Sequence, residues 1–265
     1  MSALKLAISY SLPSYQLGFC GPQEEKSKKV LLDFVNGKKV DEDLVKEALT
    51  KFEAPYPYFK LIAKSNGIAD PFDERVVKAM WVGNELLDKV KTEDLRNLIR
   101  TEFAKPGLLS REEAEKRAKK VPASTRPRPL RLSEASSSGR GGPDGAVPHH
   151  SFHVLILGPV TGRVNLEGAM LDLCRIGWGR VTELRIKNKE LIIRYRPLVI
   201  GKKIRFGEEV EKGIGWNKEI VPKVKIGDWV SFHWGQACEV LTPKEVQKLE
   251  HYTQGTINLV NAPSR

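Results

Sequence analysis

The sequence predicts an α+β chain, with an all-α helical domain over residues 1–121 followed by a small β-barrel and a C-terminal helix. Three observations predict it. Apolar residues recur at helical spacing through the first 121 positions. A stretch rich in Pro, Ser and Gly then fills 122–148, where apolar periodicity stops. From His149 onward, short β-branched and aromatic runs alternate with glycines until a helix start at Thr242.

The helices follow in order. Val30, Leu31, Phe34 and Val35 form an apolar stripe after Pro22. Asp41 is placed to cap a helix whose apolar side is Leu44, Val45, Ala48, Leu49 and Phe52. A helix through Tyr58–Lys64 stops at Asn66-Gly67, where a left-handed residue costs little. Asp70 at a cap and Pro71 at the first helical position predict a helix running to about Val90. Thr92 opens a shorter one, and Ser110 with Glu113 reads as a capping box for 111–120.

The second part, 149–265, reads as an OB-like barrel with a leading strand and the terminal helix. Val154–Leu157, Gly179–Ile186, Leu191–Tyr195 and Trp229–His233 are the strand candidates. Lys187-Asn188-Lys189 reads as a hairpin turn, and Gly207, Gly213, Gly215 and Gly227 as further turns. Thr242, Pro243 and Glu245 combine cap, first-position proline and capping-box glutamate, ahead of a helix burying Val246, Leu249 and Tyr252.

Composition narrows the class. Of 265 residues 40% are hydrophobic, enough for a folded core. The net charge of +11 admits an anionic partner without choosing one. Cysteines are only Cys20, Cys174 and Cys238, an odd and widely spaced set that argues for a reducing compartment rather than a disulfide framework. With neither a signal-peptide layout nor a membrane-length apolar run, the expectation is a cytoplasmic protein without membrane association.

Two groups of residues invite chemistry on their own. Cys20 lies in Gly-Phe-Cys-Gly-Pro; if Pro22 opens a helix, the helix dipole lowers the thiol's pKa and makes Cys20 a candidate nucleophile. His149, His150 and His153 cluster where the barrel part begins. On a strand His149 and His153 share one face and His150 takes the other, a candidate metal-binding arrangement.

Two segments carry a resemblance. CRIGWGRVTEL begins at Cys174, and KVKIGDWVSFHWGQACEVLTPKEVQKLE begins at Lys223. Their order of Cys174, Ile176, Gly179, Arg180, Val181 and then Gly227, Asp228, Trp229, Val230, His233, Gly235 and Ala237 resembles the HypC/HupF-type chaperones of nickel–iron hydrogenase assembly. The resemblance implies a barrel that carries iron bearing cyanide and carbon monoxide ligands. It implies Cys174 and His233 as the functional pair, and a HypD-like maturation protein or the hydrogenase large-subunit precursor as partner. Thiolate and imidazole suit such an iron. The segments YSLPSYQLGFCGP, FEAPYPYFKLIAKSNGIADPFDERVV and VPHHSFHVLILGP resemble a second family, DUF6390, of unknown function, whose genes tend to sit near hydrogenase operons.

The expected function is therefore a chaperone-like hydrogenase maturation accessory, a binding and assembly protein rather than an enzyme. One alternative is a thiol-dependent enzyme pairing Cys20 with His149, His150 or His153. Another is an OB-like binder of single-stranded nucleic acid. It would stack bases on Trp178, Trp216, Trp229 and Trp234 beside Arg180, Arg194 and Arg196.

Overall fold

A computed structural model describes residues 1–122 and 146–262. The linker expected over 122–148 falls almost wholly outside those residues. The chain is α+β: a helical region, a five-stranded barrel and a C-terminal helix.

Helix α1 (Ala3–Gln16) is buried on every side from Leu6 to Tyr15. A helix buried all round carries few charges, and this one has Lys5 alone. Its serines satisfy themselves, Ser9 and Ser14 donating back to the carbonyls of Leu6 and Ser11. Around it pack α2 (Glu25–Val35), α3 (Glu42–Thr50), α4 (Pro55–Ser65) and α5 (Glu74–Trp81), followed by α6 (Thr92–Thr101) and α7 (Arg111–Lys119). Asp41 caps α3 and Ser110 caps α7, as their sequences predict.

Helix α5 departs from expectation at both ends. Asp73 is its cap, accepting from the Arg75 amide, while Asp70 turns the chain just before it. It stops at Trp81, well short of Val90. Gly83 has φ +95°, and Asn84 restarts the chain as a 3-10 turn over Glu85–Lys89. A Cβ on Gly83 would lie 2.1 Å from the Tyr252 ring, so helix C-cap and tertiary packing both require glycine there.

Residues 150–157 are helical, which overturns the expected leading strand. The three-residue helix α8 (His150–Phe152) runs into a π-turn over His153–Leu157, closed by the Gly158 amide on the His153 carbonyl at 2.7 Å. This segment is buried against the C-terminal helix and pairs with no strand among the described residues. Its backbone must therefore bond to itself. Apolar runs of this length do not distinguish strand from buried helix.

After α9 (Ala169–Cys174) the barrel strands are β1 (Gly177–Arg185), β2 (Glu190–Tyr195), β5 (Val210–Gly215), β6 (Trp229–His233) and β7 (Gln236–Leu241). They close in the order β1-β2-β5-β7-β6, with β6 back on β1. All neighbours are antiparallel except β5 and β7, which meet in parallel at one pair, Gly215 with Gln236. Strands β3 (Leu198–Val199) and β4 (Arg205–Phe206) form a separate ribbon. Gly213 and Gly215, expected in turns, lie within β5. A Cβ at either would meet the end of the Glu190 or Gln236 side chain within 2.3 Å, a contact those flexible side chains can relieve. The terminal helix α10 (Pro243–Val260) carries the full capping box of Thr242 and Glu245.

One hydrophobic cluster runs from α1 through the barrel to α10. At the junction, Lys78 of α5 bridges Glu239 of β7 at 2.8 Å and also pairs with Glu245 of α10. Tyr10 donates to Glu239 at 3.1 Å and lies 2.8 Å from the Ser231 hydroxyl. The Lys78 side chain is only 20% exposed, so the carboxylates it serves have little water to replace it. Lys78→Met keeps the apolar stem and strands both charges. It is expected to lower the unfolding free energy by about 3 kcal/mol in urea denaturation at neutral pH. Adding Glu239→Gln should restore part of the loss. A change below about 1 kcal/mol would instead rank the cluster with exposed ion pairs.

Candidate metal centre

The helical turn at 150–153 decides which histidines meet. In a helix, positions three apart share a face, so His150 and His153 point together and His149 points away. His149 accepts from the Ser151 amide through Nδ1 at 3.2 Å and stacks on Tyr252. It thus acts as the cap of α8, away from the other two. The strand pairing of His149 with His153 is not formed.

His150, Cys174 and His233 come together, each offering one ligand atom within 4.8 Å of the others. Three different elements deliver them. His150 opens α8. Cys174 is the last residue of α9, and His233 is the last of β6. Each imidazole is oriented by a backbone carbonyl. His150 Nε2 lies 2.9 Å from the Cys174 carbonyl, and His233 Nδ1 lies 2.6 Å from that of Tyr10. A carbonyl can only accept, so these nitrogens carry the protons. The lone pairs then sit on His150 Nδ1 and His233 Nε2, and both atoms are buried without a hydrogen-bond partner. Orphaned buried nitrogens are costly, and an imidazole fixed by a carbonyl at its other nitrogen is the usual arrangement of a metal ligand. This donor set fits a transition metal that accepts both sulfur and imidazole.

The surroundings hold these groups neutral. Burial pushes His233 down to about 4, opposed by the carbonyls of Tyr10 and Cys174. Burial also drives His150 well down, with His233 and His153 adding to it. The Cys174 thiol, 9% exposed, is raised by burial and then by Cys20, so it stays protonated until a cation displaces the proton. Trp81 lies tilted against the group, its ring 4.7 Å from His150 and 5.9 Å from His233.

A cavity of about 60 Å³ opens on these residues. Cys20 and His153 line it too, although neither belongs to the close group of three. His153 Nδ1 is 3.2 Å from the Tyr58 hydroxyl. Its apolar walls include Trp81, Trp234, Pro159 and Val160. Trp234 holds φ +49° in the two-residue turn between β6 and β7, followed by Gly235 at φ +72°. An aromatic residue there is a costly placement that sets its ring against Phe19 at 4.8 Å.

Cys20 departs from its expected chemistry. Helix α2 starts at Glu25, not Pro22, so no helix dipole reaches the thiol. Burial instead pushes it up to about 12, and its sulfur lies 2.9 Å from the Ser14 hydroxyl. Its turn is clamped to the loop after the π-turn. Arg163 bonds the Gly21 carbonyl at 3.1 Å and pairs with Glu53, Glu53 accepts from the Gly21 amide at 2.8 Å, and Thr161 donates to the Phe19 carbonyl at 2.9 Å. The tryptophans of the nucleic-acid alternative are engaged in packing. Trp216 donates to the Val221 carbonyl, and Trp178 sits edge-on to Phe206.

Sequence reasoning missed Tyr10, Trp81, Glu53 and Arg163, which orient or roof the site. The one local signal was the glycine-bracketed turn at Cys20. No helix among the described residues is long and apolar enough to cross a membrane. The chain matches a family of unknown function (DUF6390) over residues 4–121 and 139–265. No curated protein and no solved structure matches it.

Burial of so many neutral imidazoles makes the metal-free protein acid-sensitive. Burial lowers His149 and His153 to about 3 and His233 to about 4, below the unfolded value near 6.5. The fold therefore favours their neutral form. That stability is complete above pH 6.5 and is lost as pH falls toward 4, at roughly 1.4 kcal/mol per pH unit for each histidine that must charge. Thermal melts with chelator should hold steady from pH 8 to 7 and fall between pH 6.5 and 4.5, and His153→Phe should lessen the fall. A melting temperature independent of pH across that window contradicts the burial described here.

Proposed function

The chain belongs to the DUF6390 family, and we propose that it is a chaperone-like accessory of nickel–iron hydrogenase maturation whose cargo is an iron held at Cys174, His233 and His150. The observation that carries this reading is the convergence of Cys174 and His233. They are the pair implied by the likeness of the barrel segments to HypC-type chaperones, they are far apart in the chain, and they fall in one ligand group. His150 adds a third donor from outside the barrel.

The residues divide the work simply. The carbonyls of Tyr10 and Cys174 fix the imidazole tautomers, so His233 and His150 present lone pairs without reorganising. Cys174 supplies the thiolate after giving up its proton, and its charge offsets part of the cation's. The apolar walls keep water from competing for the cargo and favour ligands that need no hydrogen bonds. The partner in this reading is a hydrogenase large-subunit precursor or a HypD-like maturation protein, which receives the iron or supplies it.

Infrared spectroscopy of protein purified anaerobically, from cells co-expressing the hydrogenase system, tests the reading. Wild type should show bands in the cyanide and carbonyl stretching region, and Cys174→Ala and His233→Ala should each lose them. Wild type without such bands, or bands untouched by both substitutions, removes the iron cargo. Co-purification with the precursor at background level would remove the partner as well.

A further inference from the structure

We infer that Cys20 is a fourth ligand to the metal held by His150, Cys174 and His233, completing a set of two thiolates and two imidazoles around a divalent ion. The inference rests on the metal reading of that site, for an ion bound without the diatomic ligands of the proposed iron cargo, and extends it to a residue from the other half of the molecule. Three donors within 4.8 Å leave a small cation one position short of the four-coordinate arrangement that closed thiolate–imidazole sites adopt.

What fills that position must border the same cavity, and Cys20 does, reaching it from the α1–α2 turn while Cys174 enters from α9. Two independent observations point to a ligand there. First, His150 Nδ1 and His233 Nε2 are buried with no partner, although both residues line this cavity. Second, the thiol of Cys20 is held loosely while its backbone is held firmly. The Ser14 hydroxyl already donates to the Ser11 carbonyl at 3.1 Å, so it receives the thiol proton of Cys20 at 2.9 Å, a weak bond. Both neighbours are pinned, Phe19 by Thr161 and Gly21 by Glu53 and Arg163. In this inference the Cys20 thiol leaves Ser14 and turns into the shared cavity while its clamped turn stays in place. The cavity of about 60 Å³ gives an ion and the rotated sulfur room to meet.

Binding balances simply. The imidazoles donate existing lone pairs, and each of the two thiols forms a metal–sulfur bond as its proton passes to water. No electron is transferred. The clamp of Glu53 and Arg163 thereby becomes outer support for a ligand, as the carbonyls of Tyr10 and Cys174 are for the imidazoles.

The test is an anaerobic cobalt(II) titration of the metal-free full chain, following sulfur-to-cobalt charge-transfer absorption and proton release. Wild type should give a tetrahedral spectrum indifferent to azide and release two protons. Cys20→Ser should still bind cobalt, at least about tenfold more weakly, since even outer-shell losses cost that much. Its charge-transfer band should fall by roughly half, with one proton released and a spectrum that now shifts with azide. In wild type, cobalt should also protect Cys20 from iodoacetamide, read by mass spectrometry without any substitution. A Cys20→Ser spectrum identical to wild type, with Cys20 alkylated equally fast in bound and free wild type, overturns the inference while leaving the three-donor site intact. If cobalt fails to bind wild type, or binds Cys174→Ser unchanged, the metal reading itself falls and takes this inference with it.

Discussion

The hydrogen bond from His233 to the Tyr10 carbonyl is the contact on which the arrangement turns. It joins the end of β6 to a helix buried near the start of the chain, and it decides which nitrogen of His233 keeps its lone pair. The Tyr10 ring stacks on Trp81 at 5.3 Å, and its hydroxyl meets Ser231 and Glu239. One residue thus contributes its backbone to the candidate ligand set and its side chain to the ion cluster beside it.

That double use explains why the centre lies where the helical region meets the barrel. A five-stranded barrel of this size fills its interior with its own side chains, here Val181, Ile193, Val230 and Phe232. Close approach is already at its limit, since a Cβ on Gly177 would lie 2.2 Å from the Phe232 ring. A ligand site therefore has to form outside the barrel, at the β6–β7 turn, and needs walls from elsewhere. The helices provide them through Trp81, Phe19 and the segment holding His150.

Helix caps were the most legible part of the chain, because Asp41, Ser110 and Thr242 act through neighbours a few residues away. Strands with alternating apolar positions were legible for the same reason, as Trp229–His233 illustrates. The misread elements all depended on distant partners. His150–Leu157 is helical because it is buried beside α10. Gly213 and Gly215 are strand residues because their backbones pair with β2 and β7. The joining of His150 to Cys174 and His233 depended on a helical turn that no local pattern announced. Cys20 was singled out for its turn, but its surroundings make it a protonated thiol rather than an activated nucleophile.

The order of the donors along the chain carries a consequence for how the protein is made. Cys20 and His150 leave the ribosome long before the β6–β7 turn that places His233, and Tyr10 can orient nothing until that turn docks. Bringing together groups this distant in sequence belongs to the late, slow part of folding. A growing chain therefore holds two early cysteines and the histidines near 150 with no assembled place for them. Any ion bound then is held by fewer ligands than the finished site offers. On the proposed metal reading, selective loading is a property of the completed polypeptide, and metal delivery follows translation rather than accompanying it.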